Sequence, residues 1–220
     1  MQCLSLYAMK GGMPENVTKE LNHLLENGIR EEQFEKGGVG DIKAKDANPE
    51  ILNAISNVRD SDVCFVYDKK IINYVANIIQ NTNRKAGWNF QLSSIDSLQY
   101  TRYREGQYYH WHTDEDNWSK GGYRKREKQG LLRKLSITIL LNDDFEGGEL
   151  EFGILKSEDD DKQFLEIETR DAEISAGEFV VFHSDTFHRV KPVISGVRRS
   201  LVAWCLGTVS YTHLRAHETP

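Results

Sequence analysis

Cysteine is scarce in this chain, with Cys3, Cys64 and Cys205 the only three among 220 residues. An odd, widely spaced set argues against a disulfide framework or a thiolate zinc site, and reads as thiols in a reducing, cytoplasmic setting. Long apolar runs are missing too: none approaches the ~20 residues a membrane-crossing helix needs. The opening MQCLSLYAMKGG lacks a basic segment followed by an apolar core, so no signal peptide is expected. Positive charge is in deficit, with 28 Lys and Arg against 34 Asp and Glu and a net charge of −6. That balance gives no general reason to expect a nucleic-acid partner.

What is present is enough chain for one domain with a sizeable core. Val17, Leu21, Leu24 and Leu25 recur at helical spacing between Pro14 and Asn27, with Gly28 placed to stop the helix. Asn48-Pro49 opens a short helical segment reaching Val58. Ser61 to Tyr67, SDVCFVY, reads as a strand. Asp68 then fits an N-cap for a helix to about Asn83, burying Ile71, Ile72, Val75, Ile78 and Ile79. From Leu92 to Trp204 the pattern changes to short strands and turns. The expectation is a mainly β fold with supporting α-helices: a double-stranded β-helix, a cupin-like jelly roll, with helices against one sheet.

The stretch YREGQYYHWHTD, Tyr103 to Asp114, carries the densest chemistry. In a strand, positions two apart share a face, so His112 and Asp114 converge while Thr113 points away. His110 shares that parity and is a rival ligand. A third ligand stands far downstream as His188. Two histidines and a carboxylate on one face of iron(II) leave the other positions open for substrate and oxygen. Arg198 follows His188 by ten residues, after the turn-like Ile194-Ser195-Gly196. Its guanidinium can pair bidentately with a carboxylate, which suits a small dicarboxylate held against a metal.

Taken together, Tyr103-x-x-Gly106-x-x-Tyr109-x-x-His112-x-Asp114 and His188-x-Val190-x-Pro192-Val193-x-x-Gly196-x-Arg198 resemble the 2-oxoglutarate and iron(II) dependent oxygenases of the prolyl 4-hydroxylase superfamily. The stretches Arg133 to Phe152 and Ser200 to Trp204 agree, and the resemblance spans roughly Ser61 to Gly207. It selects His112 over His110 and implies the same jelly-roll fold. It further implies Fe(II) on His112, Asp114 and His188, with 2-oxoglutarate and O2 as cosubstrates and Arg198 on the far carboxylate of 2-oxoglutarate. Ascorbate is the accessory reductant it brings to mind. A prolyl residue of a protein or peptide is the suggested substrate, with a free amino acid or other small molecule as the alternative. A carboxylate in the metal set favours hydroxylation over halogenation. A non-catalytic iron and 2-oxoglutarate sensor retaining the same residues stays open as a second class. So does a structural or carbohydrate-binding jelly roll with coincidental ligands, although that reading does not explain Arg198.

Around this centre, Tyr103 reads either as a core tyrosine or as a hydrogen-bonding partner of a ligand, on the same strand face as Gln99 and Thr101. Thr138 reads either as a cosubstrate contact or as an ordinary strand threonine. Trp204 shares the face of Arg198 and walls the pocket. His183 either approaches the metal or plays a structural part at a strand end. Glu115 to Arg133 is a basic insertion, either a solvated face or a closing lid. Glu158-Asp159-Asp160-Asp161 reads as a solvated hairpin tip. The expected division is a helical and loop extension at 1–60, the oxygenase domain at 61–207, and a non-native tail at 208–220. That tail contains VSYTHLRAHET, which looks like a translated sequencing adapter.

Overall fold

The structure is a computed structural model that describes residues 1–5, 7–39, 46–115, 131–156 and 166–208. Fourteen strands and three helices are found among these residues. The early part holds strands β1 (Gln2–Ser5), β2 (Ala8–Gly12), β3 (Glu35–Lys36), β4 (Arg59–Asp60) and β5 (Asp62–Phe65). Interleaved with them are helices α1 (Glu15–Gly28), α2 (Pro49–Ser56) and α3 (Lys69–Lys85). Then come β6 (Leu92–Arg104), β7 (Tyr108–His112), β8 (Leu131–Leu140), β9 (Phe145–Gly147) and β10 (Leu150–Lys156). The last four strands are β11 (Glu166–Asp171), β12 (Glu178–His183), β13 (Phe187–Val190) and β14 (Val193–Thr208).

These strands form two antiparallel sheets. The larger runs β1-β2-β12-β8-β14-β6-β5-β3, with β9 also paired to β14, and the smaller runs β11-β10-β13-β7-β4. Facing sheets of this kind make the double-stranded β-helix anticipated from the strand pattern. Residues 1–60 contribute more than helices and loops. β1 and β2 extend the large sheet beyond β12, and β4 closes the edge of the small sheet against β7.

The large sheet is buried on both faces. On β8, Leu135, Ile137 and Ile139 face one core with Leu21 and Leu25 of α1 and Ile71, Val75 and Ile79 of α3. Asp68 caps α3 by accepting hydrogen bonds from the Lys70 and Ile71 amides, and Asn48 caps α2 through the Ile51 amide. Each fully buried aliphatic side chain on the α3 stripe stabilises the fold by about 1.5–3 kcal/mol. The opposite face of the sheet meets the small sheet through a second core of Tyr103, Leu150, Phe152, Val180, Phe182, Val190 and Val193. A cavity adjoins this second core, and Tyr103, Leu150 and Val190 belong to both.

The basic insertion is outside the described residues from 116 to 130, and the acidic tip from 157 to 165; Leu131–Arg133 already belong to β8. The suspected tail is outside them from 209 onwards, while Thr208 ends β14. No helix among the described residues is long and apolar enough to cross a membrane.

Candidate metal centre

β7 and β13 are neighbours in the small sheet, and their register sets His112 directly opposite His188. Their rings lie 4.1 Å apart between centroids. Asp114 completes the group, and one ligand atom from each of the three lies within 4.8 Å of the others. Asp114 does not reach this point by strand alternation, because β7 stops at His112. Its amide and that of Glu115 both bond the Ser184 carbonyl at 2.8 Å. That anchor bends the chain, and Thr113 is among the cavity's lining residues, its hydroxyl donating to the Glu115 carbonyl at 2.7 Å.

Both imidazoles are oriented in the same way. His112 Nδ1 lies 2.7 Å from the His110 carbonyl and His188 Nδ1 lies 2.8 Å from that of Thr186. A carbonyl can only accept, so each Nδ1 carries a proton and each Nε2 is the nitrogen turned toward the Asp114 carboxylate. The two Nε2 atoms lie 3.8 Å and 3.6 Å from the two Asp114 oxygens. Burial, reinforced by neighbouring His188, pushes His112 down to about 3 and keeps it neutral. Burial pushes the Asp114 carboxyl up, but His188, His112 and Arg133 outweigh it and hold the group below the usual carboxylate range. Asp114 Oδ2 is buried and has no hydrogen-bond partner among the described residues. Such an orphan is costly unless a cation meets it. Two imidazole nitrogens and one carboxylate oxygen fit a ferrous ion with open positions.

The ligands sit in a cavity of about 660 Å³. Tyr103, Thr138 and Trp204 of the large sheet line it, together with Leu150, Val190 and Val202. Trp204 Nε1 is a second buried polar atom without a partner among the described residues. Arg198 is next to this wall and not part of it. It is opposite Tyr103 in the β14–β6 register, with its guanidinium 5.7 Å from the Tyr103 ring. Only 2% of Arg198 is exposed, and Nη1 donates to Ser200 Oγ at 2.9 Å. Among the described residues no carboxylate lies within ion-pair distance of it. Burial lowers its pKa from the ordinary arginine value, with Tyr103 and Glu149 opposing. Gly148, at φ +65°, makes the room: a Cβ there would come within 3.0 Å of Arg198 Cδ.

Several cavity residues were not singled out from the sequence. Arg133 is one. It bonds Asp96 Oδ2 through Nε and Nη2 at 3.0 and 2.8 Å, reaches the Asp114 carbonyl at 3.3 Å, and lies over the Trp204 ring. Arg59 is another, packed over the Tyr109 ring at 4.6 Å. An arginine inside a charged stretch reads as solvated, so neither carried a signal. Burial and the charge of Asp114 push the Tyr109 hydroxyl up to about 12, with Arg59 opposing, so it stays protonated. His110 is exposed against Tyr108, away from the ligands. His183 lies among Tyr7, Trp88 and Phe90, edge to face with each, and takes the structural part.

The comparisons with known proteins follow this geometry. Residues 98–206 match the family model described as the 2OG-Fe(II) oxygenase superfamily. A PKHD-type hydroxylase of Synechococcus sp. (strain CC9902) is 31% identical over 124 residues, covering 56% of this chain and 46% of that protein. One from Thermosynechococcus vestitus is 34% identical over 112 residues, covering 50% and 42%. The chain thus spans about half the length of the curated relatives it matches. Among solved structures, a Pseudomonas putida prolyl-4-hydroxylase superposes with a TM-score of 0.60 at 18% identity, covering 92% of this chain and 93% of that one. A Trichoplax adhaerens prolyl hydroxylase, solved with a hypoxia inducible factor peptide fragment, gives 0.64 at 15% identity, covering 98% and 89%. With the two-histidine, one-carboxylate set carried by the adjacent strands β7 and β13 and the bend after β7, and the family match running through all three ligands, the chain belongs to the 2OG-Fe(II) oxygenase superfamily.

Proposed function

We propose that this protein is a 2-oxoglutarate-dependent dioxygenase that hydroxylates a C–H bond, with release of succinate and carbon dioxide. The observation that carries the reading is the pairing of an orphaned, histidine-flanked carboxylate with a buried guanidinium that has no carboxylate partner among the described residues. His112, Asp114 and His188 would hold Fe(II), which when bound would supply the oxygen activation that C–H hydroxylation needs. Arg198 takes the far carboxylate of 2-oxoglutarate in its planar fork, with Ser200 steadying one arm of the guanidinium. Tyr103 and Thr138 present hydroxyls to the same molecule, and Trp204 closes that side. Leu150, Val190 and Val202 keep water from the reacting groups. The similarity to prolyl hydroxylases supports a prolyl residue of a protein or peptide as the substrate, with ascorbate as accessory reductant.

The test is succinate release from 2-oxoglutarate. It is expected to require Fe(II), to rise with a proline-containing peptide, and to vanish in His188→Ala and Asp114→Ala. Stimulation by a free amino acid and not by peptides would replace the prolyl-peptide substrate. No succinate from protein that binds iron and 2-oxoglutarate would leave a sensor module instead.

A further inference from the structure

Arg59 is a second buried arginine near the triad, only 8% exposed, and unlike Arg198 it lines the cavity itself. Three groups hold its guanidinium. Nε donates to Ser61 Oγ at 2.8 Å, Nη1 to the Gly38 carbonyl at 3.2 Å and Nη2 to Gln99 Oε1 at 3.0 Å. Gly37 packs directly on it, since a Cβ there would fall 2.6 Å from Arg59 Nε. None of these neighbours is charged. The nearby acids have other cations: Asp60 and Asp62 pair with Lys36, Asp62 also with Arg104, and Asp96 with Arg133. Glu35 also lines the cavity. A guanidinium carries five N–H donors, so one on each terminal nitrogen is left without a partner among the described residues. A buried cation held this way, with a donor left over on each terminal nitrogen, can take a planar anion.

We propose that Arg59 binds a carboxylate of the primary substrate, so that the substrate class is a carboxylate-bearing compound oxidised close to its acid group. The placement follows from Tyr109. Its ring touches both the Arg59 guanidinium and the His112 ring, so a single aromatic ring spans from the anchor to the metal ligand. A carboxylate on Arg59 therefore places the C–H bonds beside it in the cavity that the triad also lines. Two sources supply that chemistry: the α-carboxylate of a free amino acid, or a carboxylate beside the reacting residue of a peptide. This inference rests on the oxygenase reading above, with Arg198 reserved for 2-oxoglutarate.

The test uses the intact protein loaded with Mn(II) and N-oxalylglycine, which fills the 2-oxoglutarate position. Binding is measured by calorimetry for matched pairs: free amino acids, proline included, against their amides, and proline peptides ending in a free acid against the same peptides amidated. Acids are expected to bind at least tenfold more tightly than amides in one of the two series, and the series that does so names the source. Arg59→Gln should abolish that preference, and Gly37→Ala should weaken it by crowding the guanidinium. The Fe(II)–2-oxoglutarate absorption band should form at unchanged 2-oxoglutarate concentration in both variants. Equal binding of acids and amides, or no acid binding in either series, overturns the proposal without needing any variant to fold. A raised 2-oxoglutarate requirement in Arg59→Gln also overturns it, by giving Arg59 to the cosubstrate. Loss of the band in the unmodified protein would instead remove the oxygenase reading itself.

Discussion

Tyr109 stacks on His112, with ring centroids 3.5 Å apart and planes inclined by 15°, although residues three apart belong on opposite faces of a regular strand. The register explains it. Val190 is opposite Tyr109 and His188 is opposite His112, so β7 carries one more residue than β13 over this interval. That bulge turns His110 out and Tyr109 in. Tyr109→Ala is therefore expected to free the His112 ring and weaken metal binding about tenfold, whereas Tyr109→Phe should keep both the stack and the affinity. Competition titration with a chromophoric chelator measures the difference.

Gly148 is the second position where one added carbon should be felt. It has φ +65°, and a Cβ would lie 3.0 Å from both Arg198 Cδ and Val193 Cγ2. Gly148→Ala combines backbone strain with crowding, and a loss of about 1–3 kcal/mol of stability is expected. Its specific signature is a higher 2-oxoglutarate requirement at unchanged iron affinity, read from paired ligand titrations.

His183 predicts a pH dependence that is independent of the metal. Burial lowers its pKa below the ordinary 6.5, with Asp185 opposing, and its Nε2 is buried without a partner among the described residues. The unfolded chain therefore takes up a proton more readily than the folded one as pH falls through about 6.5. Stability from this group is fully present above that pH and declines below it until the folded pKa is reached. Urea melts between pH 7.5 and 5.5 should show that decline, and His183→Phe should flatten it.

The alternation of Leu135, Ile137 and Ile139 with Ser136 and Thr138 made β8 and its two environments legible in the sequence. So did the caps Asn48 and Asp68, because side chain and bonded amide are only two or three residues apart. Convergence of His112, Asp114 and His188 was legible from strand parity together with the family resemblance that chose His112 over His110, but its route was not. Asp114 lies beyond the end of its strand and is held by Ser184, seventy residues away in the chain. The opening MQCLSLYAMKGG shows no strand alternation, yet Ala8–Gly12 pairs with Glu178–Phe182 through the backbone, which asks little of side chains. Arg59 was illegible for a related reason. Its burial depends on Gly37, Gly38 and Gln99, none of which is near it in sequence.

The most direct test is an anaerobic titration of the Fe(II)-loaded protein with 2-oxoglutarate, following the visible absorption band of the chelate. The band is expected to appear in the unmodified protein, to be absent in His188→Ala, and to require at least tenfold more 2-oxoglutarate in Arg198→Ala. Iron that binds His112, Asp114 and His188 without producing the band, or an Arg198→Ala titration that overlays the unmodified one, would contradict the account.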